Sequence, residues 1–305
     1  MLASLLRAFL CAELLLCVSI AGALLAAGWN LSGALAATLV LDAFTRTAIT
    51  LGAFNASSVL GPAGAAAQLS FAARLRLVAA EIWWTAVAFS VLMPFPRLAG
   101  SSDAGPPRDG TPVLLVHGYL CNRGIWRRTK SHLEARGISV WTHDAEPLFA
   151  GIDHYVAALA ERIEGILAAT GATKLVIVGH SMGGLLLRAY LRAHGAGRVA
   201  LGITLGTPHH GTAIALRGFG ANARQMAPGS GWLRELARAE PGAPAAPLVS
   251  IWSRHDNVVV PQESARLEGA ENIALEGIGH VTLAFSGPVQ ALILEKIRAA
   301  AAPAR

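Results

Sequence analysis

The stretch "LVIVGHSMGG", residues 175–184, joins a β-branched apolar run to a single serine that stands between glycines. A short apolar run of this kind predicts a buried strand, and the leucines that follow the glycines predict a helix. Gly179 and Gly183 allow the backbone to turn sharply, with Ser181 strained and its hydroxyl exposed. Amides at the start of the helix, near Met182, favour negative charge at the same point. The pattern indicates a nucleophilic serine, although a glycine-serine turn without chemistry also matches it.

Apolar runs and helical patterns alternate along residues 111–305. Because these runs are continuous, they predict strands that are buried on both faces. Strands that alternate with helices predict an α/β fold, a mostly parallel sheet with helices on both faces and a ligand site at the carboxyl ends of the strands. The predicted strands are residues 112–118, 138–144, 174–179, 198–206, 247–253 and 271–277, and the predicted helices are 153–169, 182–194 and 288–300.

A nucleophilic serine needs a base and a carboxylate that orients the base. Asp256 and His280 each follow a predicted strand, so both are expected at the same sheet edge as Ser181. Taken singly, Asp256 fits a turn aspartate and His280 fits a surface histidine, but their joint placement favours a catalytic triad. Asp144 and Glu146 follow an earlier strand and are the second choice of carboxylate.

The stretch "VHGYLCN", residues 116–122, supplies a loop across from the serine. The backbone amides of Tyr119 and Met182 are predicted to bind the oxyanion of a tetrahedral intermediate. His117 is predicted to brace this loop through hydrogen bonds, and Cys121 to be a loop residue without a catalytic role. His209 and His210, in "GTPHHGT", are candidates for lining the pocket, with no carboxylate partners that would indicate a metal site.

The chain resembles bacterial lipases and esterases of the α/β-hydrolase superfamily in "VHGYL", "GHSMGG", "LGTPHHGT" and "SRHDNVVVPQESARLEGAENIALEGIGHVTLAFS". The last motif is similar to the C-terminal part of small Bacillus-type lipases. The resemblance covers residues 111–298 and implies ester hydrolysis through an acyl-enzyme. It implies Ser181, Asp256 and His280 as the triad, and Tyr119 and Met182 as oxyanion donors. It does not extend to residues 1–98, and those small lipases are secreted.

Residues 1–98 form a predicted membrane region. The chain is 53% hydrophobic and only 14% charged, where soluble domains carry about 25% charged residues. Spans are predicted near residues 8–28, 32–53 and 77–95, with Asp42 and Arg46 paired four residues apart inside the second. A cleaved leader that ends at Ala21-Gly22-Ala23 is the alternative, but strongly apolar sequence continues well beyond it.

The arginines suggest how the chain sits in a bacterial inner membrane. Arg7, Arg74 and Arg76 precede the first and third spans, which predicts a cytoplasmic position for those ends and a periplasmic position for the domain after residue 98. Residues 99–110 are a predicted linker rich in glycine, serine and proline. The net charge of +6 is scattered, without a basic stripe, which argues against nucleic-acid binding.

Several properties of the catalytic region stay open. Residues 208–246 are longer than a simple connection and form a predicted short cap. In it, an amphipathic helix near 230–239 is either a lid or a surface helix that covers the sheet. No nicotinamide fingerprint, phosphate loop or metal spacing of cysteines occurs, so no cofactor is expected. The expected substrate is a small ester or lipid, with an amide, thioester or polyester, or a non-catalytic membrane-anchored binding module, as alternatives.

Overall fold

The computed structural model describes residues 1–61, 69–97, 110–240 and 242–301 of the 305-residue chain. Nearly all of the predicted linker 99–110 lies outside the described residues.

Residues 111–301 have the α/β architecture that the sequence predicts. Within the described residues, six parallel strands form one sheet in the order β2-β1-β3-β4-β5-β6. The strands are β1 (Val113–Val116), β2 (Val140–His143), β3 (Leu175–His180), β4 (Val199–Leu205), β5 (Leu248–Ser253) and β6 (Glu271–Leu275). β1, β3 and β5 are buried along their whole length, as expected for strands covered on both faces.

Helices cover both faces of this sheet. Leu114 and Ile177 face a core with α5 (Val156–Thr170) and α6 (Met182–His194). The alternate strand residues Leu115 and Val178 face a second core, which includes side chains of α4 (Arg127–Glu134) and α9 (Gly287–Ala301). Since successive strand residues point to opposite faces, one apolar strand contributes to both cores. The polar residues that follow the strands are left at the carboxyl edge.

Three helices precede the sheet, and each is long and apolar enough to cross a membrane. They are α1 (Leu2–Ala26), α2 (Leu31–Leu60) and α3 (Phe71–Val87), which continues as a π-helical turn over Ala88–Leu92. α1 ends at the predicted break, where Gly28 has a φ of +91°. The side chain of Asn30 then begins α2 by accepting a 2.8 Å hydrogen bond from the amide of Gly33.

Charged residues of these helices meet one another. The Arg46 guanidinium donates to Asp42 at 3.0 Å, as the four-residue spacing predicts, and also to Glu13 on α1 at 2.5 Å. A third bond, of 2.9 Å, reaches the hydroxyl of Ser90. The cluster therefore ties α1, α2 and the end of α3 together, and it matches each charge with a partner in apolar surroundings.

The region between β4 and β5 contains a 3₁₀ turn (Ala213–Arg217), α7 (Gly220–Gln225) and α8 (Gly231–Arg238). Trp232, Leu233 and Leu236 of α8 are buried in the same core as α6, so this helix covers the sheet instead of standing free as a lid. By contrast, Leu216 and Phe219, just before α7, are 71% and 77% exposed. The exposed apolar surface of this region therefore lies just before α7, and α8 matches the surface-helix alternative.

Candidate active site

Ser181 occupies a sharp turn between β3 and α6. Its backbone has φ 54° and ψ −123°, a conformation that a residue with a side chain adopts only under strain. The surroundings hold it there, because its amide donates to the carbonyl of Leu205 at 2.8 Å. Its own carbonyl accepts a 2.9 Å bond from the hydroxyl of Thr207. Leu205, the last residue of β4, and Thr207, just after it, therefore hold both the amide and the carbonyl of Ser181.

Two glycines make this turn possible. A Cβ on Gly179 would lie 2.6 Å from the backbone of Gly183, and a Cβ on Gly183 would lie 2.3 Å from the carbonyl oxygen of Val116. Neither position has room for a side chain, so strand, turn and helix can pack this closely only with glycine at both sites.

Asp256 and His280 form a direct pair. Nδ1 of His280 lies 2.8 Å from Oδ2 of Asp256, and both side chains are buried. The other carboxylate oxygen accepts 2.8 Å bonds from the amides of Val258 and Val259. The amide of His280 donates to the side chain of Asn257 at 2.9 Å. These bonds fix Asp256 and assign the Nδ1 proton of His280 to the carboxylate, which leaves Nε2 as the nitrogen available for chemistry.

The electrostatics of this pair favour a basic imidazole. Burial, the largest single effect, lowers the pKa of His280, but the charge and hydrogen bond of Asp256 together with the charge of Glu81 raise it above its ordinary value. The Ser181 turn and the pair meet at the end of β4. A Cβ on Gly206 would lie 3.0 Å from Oδ2 of Asp256 and 3.3 Å from Nδ1 of His280.

His180, the residue before the serine, links the two halves of the site. Its Nε2 donates to the backbone carbonyl of His280 at 3.0 Å, and the two imidazole rings lie 4.7 Å apart. Burial lowers the pKa of His180 to about 3, so the ring is neutral at ordinary pH. The sequence did not predict this contact. The position of His180 directly before Ser181 is the one sequence feature that points to it.

The loop after β1 closes the other side of the turn. A Cβ on Gly118 would lie 2.8 Å from Cβ of Ser181, so this loop passes directly against the serine. His117 braces it as the sequence predicts: Nε2 accepts a 3.0 Å bond from the amide of Ala145, and Nδ1 donates to the carbonyl of Gly118 at 2.9 Å. Burial lowers the pKa of His117, in keeping with this neutral bridging role.

Tyr119 and Met182 are placed on either side of this junction. Tyr119 directly follows Gly118, and Met182 directly follows Ser181 and begins α6. A cavity of about 10 Å³, enough for about one water molecule, is lined in part by Gly118, Cys121 and Met182. Burial raises the pKa of the Cys121 thiol to about 12, so Cys121 is unsuited to act as a nucleophile.

The alternative carboxylates lie in other contacts. Asp144 accepts a 2.7 Å bond from the amide of Arg123 and lies 3.5 Å from Nε2 of His117, on the β2 side of the sheet. Glu146 contacts the chain's N-terminal amine at 2.6 Å and is half exposed. Neither competes with Asp256 for His280, whose Nδ1 already bonds that residue.

His209 is part of the packing behind the site and not of a pocket wall. Its Nε2 lies 3.1 Å from the hydroxyl of Thr204, and its carbonyl accepts from the guanidinium of Arg188 at 3.2 Å. Burial, followed by the Arg188 charge, holds the pKa of His209 well below its ordinary value. Among the residues that the structure describes, no group of three or more histidine, cysteine, aspartate or glutamate side chains could hold a metal ion.

Known proteins match this region. The family model of the α/β hydrolase fold matches residues 111–222. A triacylglycerol lipase of Burkholderia plantarii is 31% identical over 159 residues, which are 47% of this chain and 43% of that protein. A triacylglycerol lipase of Pseudarthrobacter phenanthrenivorans is 35% identical over 112 residues, 34% of this chain and 35% of that protein. The chain thus spans less than half the length of these two relatives.

A solved structure shows the same fold. The mature lipase BlEst2 of Bacillus licheniformis superposes with a TM-score of 0.57 at 18% identity and covers 65% of this chain and 96% of its own. At this identity the match establishes the architecture alone. The described domain therefore has the α/β-hydrolase fold, and residues 111–222 are similar to that family, with bacterial lipases among its relatives.

Proposed function

We propose that the protein is a serine hydrolase that cleaves carboxylic esters, as a lipase or esterase. One observation carries the proposal: the strained Ser181 turn and the hydrogen-bonded pair of Asp256 and His280 converge at the end of β4. A strained backbone and a buried histidine-carboxylate pair both lower the stability of the fold. A protein that only binds a partner would gain nothing from keeping these two features.

The first half of the reaction forms an acyl-enzyme. The hydroxyl of Ser181 attacks the ester carbonyl, and Nε2 of His280 takes the hydroxyl proton. Asp256 holds the ring in the required tautomer and stabilises its positive charge. The amides of Tyr119 and Met182 donate to the oxyanion of the tetrahedral intermediate. His280 then returns the proton to the leaving alcohol as the intermediate collapses.

The second half regenerates the enzyme. His280 removes a proton from water, the resulting hydroxide attacks the acyl carbonyl, and the carboxylic acid leaves as the proton returns to Ser181. The residues that bear on substrate choice are apolar: Leu216 and Phe219 expose their side chains at the cap, and the Tyr119 hydroxyl bonds the backbone of Phe219. Apolar surface beside the loop that holds the proposed oxyanion donor fits esters of fatty acids or lipids, the class named for the two relatives.

The activity is tested with the full chain in detergent micelles and p-nitrophenyl esters of increasing acyl length. Matched amide, thioester and polyester substrates are included, since the same triad serves each bond. Ser181→Ala is expected to lower turnover at least about 10³-fold. Ser131→Ala, at an exposed serine of α4, is the control and keeps wild-type turnover. A fluorophosphonate probe labels wild type but not Ser181→Ala. Undiminished turnover of Ser181→Ala would contradict the proposal.

The protein is anchored in a bacterial membrane through its N-terminal helices. With three spans, the arginine pattern of Arg7, Arg74 and Arg76 places the catalytic domain in the periplasm. One contact favours two spans instead. Arg7, near the start of α1, donates to the carbonyl of Pro94, just after α3, at 3.2 Å. A third span would end on the opposite side of the membrane from the start of the first.

Reporter fusions distinguish the two arrangements. Alkaline phosphatase and a fluorescent protein are fused in turn after residue 305, because the first is active only in the periplasm and the second fluoresces only in the cytoplasm. Phosphatase activity indicates three spans and a periplasmic domain. Fluorescence indicates an α1–α2 hairpin in the membrane, with α3 and the domain on the cytoplasmic side. Soluble reporter in both fusions would contradict membrane anchoring.

A further inference from the structure

Glu81, on α3, is a buried carboxylate far from the catalytic sequence motifs. It is only 1% exposed, and its partners lie about 200 residues later in the chain. Oε1 accepts a 2.9 Å bond from the amide of Val281. Oε2 accepts from the amide of Thr282 at 3.0 Å and from its hydroxyl at 2.6 Å. Three donors converge on this one side chain.

These partners belong to the loop that carries His280. Val281 and Thr282 directly follow it, and Gly279 directly precedes it. A Cβ on Gly279 would lie 2.4 Å from Oε2 of Glu81, so the carboxylate also abuts the chain before the histidine. Glu81 therefore lies against the backbone on both sides of His280, and any side chain at 279 would force the carboxylate or the loop to move.

The arrangement meets the requirements of a charged group in a buried place. A buried carboxylate is costly unless hydrogen bonds replace its water shell, and here each oxygen has at least one N–H donor. The register of α3 is set close by, where the ring of Trp84 stacks on Phe285 with centroids 4.6 Å apart and planes inclined by 1°. Trp84 lies three residues after Glu81, on the same face of α3.

We propose that Glu81 is a positioning residue for His280: helix α3, outside the hydrolase domain, holds the loop that presents the catalytic base to Ser181. The inference rests on the proposed hydrolase function. Asp256 fixes the imidazole ring through Nδ1, whereas Glu81 fixes the backbone from which that ring projects. His180 supports the same backbone from the opposite side through its bond to the carbonyl of His280.

Glu81 also acts on His280 through its charge. The titratable groups that face His280 are Asp256, Glu81 and the neutral His180. After burial, which lowers it, and Asp256, which raises it most, the Glu81 carboxylate adds to the rise in the pKa of His280. Since the base acts in its neutral form, removal of this charge moves the acid limb of kcat/KM to lower pH. A side chain that only filled space would leave that limb in place.

The test uses the full chain in detergent and the ester that wild type hydrolyses best. Glu81→Gln keeps length and shape, but its amide group faces backbone donors and its charge is gone. We expect kcat to fall about 10- to 100-fold, since displacement of a catalytic group by about 1 Å costs a factor of this order. The acid limb should move to lower pH, and fluorophosphonate labelling of Ser181 should slow. Glu161→Gln, which neutralises an exposed carboxylate on α5, should change none of these.

A folded Glu81→Gln protein with wild-type kcat, or with reduced kcat and an unmoved acid limb, overturns the proposal. Should Glu81→Gln fail to fold, Thr282→Val removes only the hydroxyl donor. It should lower kcat about 3- to 10-fold, the loss expected for one hydrogen bond, and an unchanged kcat would overturn the proposal. Failure of the proposed hydrolase function gives a different result from failure of the Glu81 proposal. In that case Ser181→Ala would have the same turnover as wild type, whatever the Glu81 variants do.

Discussion

Ser57, near the end of α2, donates a 3.2 Å hydrogen bond from its hydroxyl to the backbone carbonyl of Asp256. The side chain of Gln262 completes the contact, because its amide donates to both the Ser57 hydroxyl and the Asp256 carbonyl at 2.9 Å. A second N-terminal helix thus contacts the loop of the proposed orienting carboxylate, as α3 contacts the loop of His280. The N-terminal helices border the site on two sides.

The carboxylate of the proposed triad can be identified by substitution. Asp256→Asn cannot stabilise a positively charged His280 and places an amide opposite Nδ1, so kcat should fall by up to about 10⁴-fold. The measurement is steady-state ester hydrolysis by the full chain. Asp144→Asn tests the other candidate and should cost less than about tenfold, because Asp144 bonds the loop at Arg123. A larger loss for Asp144→Asn than for Asp256→Asn would reverse the assignment.

The pH dependence of hydrolysis follows from the raised pKa of His280. Below that pKa the imidazole is charged and cannot take the Ser181 proton, so kcat/KM should fall about tenfold per pH unit on the acid side. The midpoint should lie above the ordinary value for histidine, 6.5. A pH-rate profile of wild type in a constant ionic-strength buffer measures it. A midpoint well below that value would show that another group controls the reaction.

Buried neutral histidines should make the fold sensitive to acid. Burial lowers the pKa of His117, His180 and His209 in the folded chain. Below about pH 6.5 the unfolded chain binds protons that the folded chain does not, so the free energy of unfolding falls as pH falls. For His180 this continues to about pH 3. Thermal unfolding at pH 7 and pH 5 should show a lower Tm at pH 5, and His209→Gln should reduce the difference. An equal difference would exclude His209 as a contributor.

The close approach at Gly279 predicts a sensitive position. Gly279→Ala places a methyl group against the Glu81 carboxylate, and overpacking of this kind costs about 1–3 kcal/mol in the free energy of unfolding. Ester hydrolysis should fall as well, because the His280 loop must move. Gly165→Ala is the matched control on α5, where an added Cβ meets nothing within 4 Å. Equal stability and activity of the two variants would contradict the contact.

The Arg46 cluster should stabilise the N-terminal helices. Arg46→Gln leaves Glu13 and Asp42 facing each other without their cation. The free energy of unfolding should fall by less than the loss of about 3–5 kcal/mol that is typical of fully buried pairs, because these side chains are between a fifth and a third exposed. Thermal unfolding in detergent measures it, with Arg74→Gln at an exposed site of α3 as the control. A Tm for Arg46→Gln equal to that of Arg74→Gln would show that the cluster adds nothing.

Local pattern was enough to predict the sheet. The apolar composition of strands such as Leu175–His180 is enough to predict that they are buried. The spacing of Gly179 and Gly183 predicts a sharp turn, because side chains at these two positions would clash with nearby backbone. Chain order also ranked Asp256 above Asp144, which follows an earlier strand, and this ranking stays a prediction that the substitutions test. The cap was harder, because Trp232 and Leu236 on an amphipathic helix look the same whether they face a core or a ligand.

The role proposed for Glu81 could not have been read from its own neighbourhood. It stands in an apolar helix pattern that predicts a membrane span, and nothing within one turn of it hints at a partner near residue 280. The contact depends on how α3 packs on the finished domain, which is a property of tertiary structure. The same holds for Ser57, whose hydroxyl reaches a carbonyl 199 residues away.

The span of about 200 residues between Glu81 and its partners has a consequence for how the molecule is made. During translation α3 emerges from the ribosome long before the His280 loop is made. With the proposed membrane anchoring, the N-terminal helices can therefore reach the lipid bilayer before the rest of the domain has folded. The proposed active site is complete only when β6 has formed and the His280 loop after it packs against α3. Under the proposed function and membrane anchoring, a nascent chain built in this order has no complete active site with which to attack the surrounding lipids during insertion.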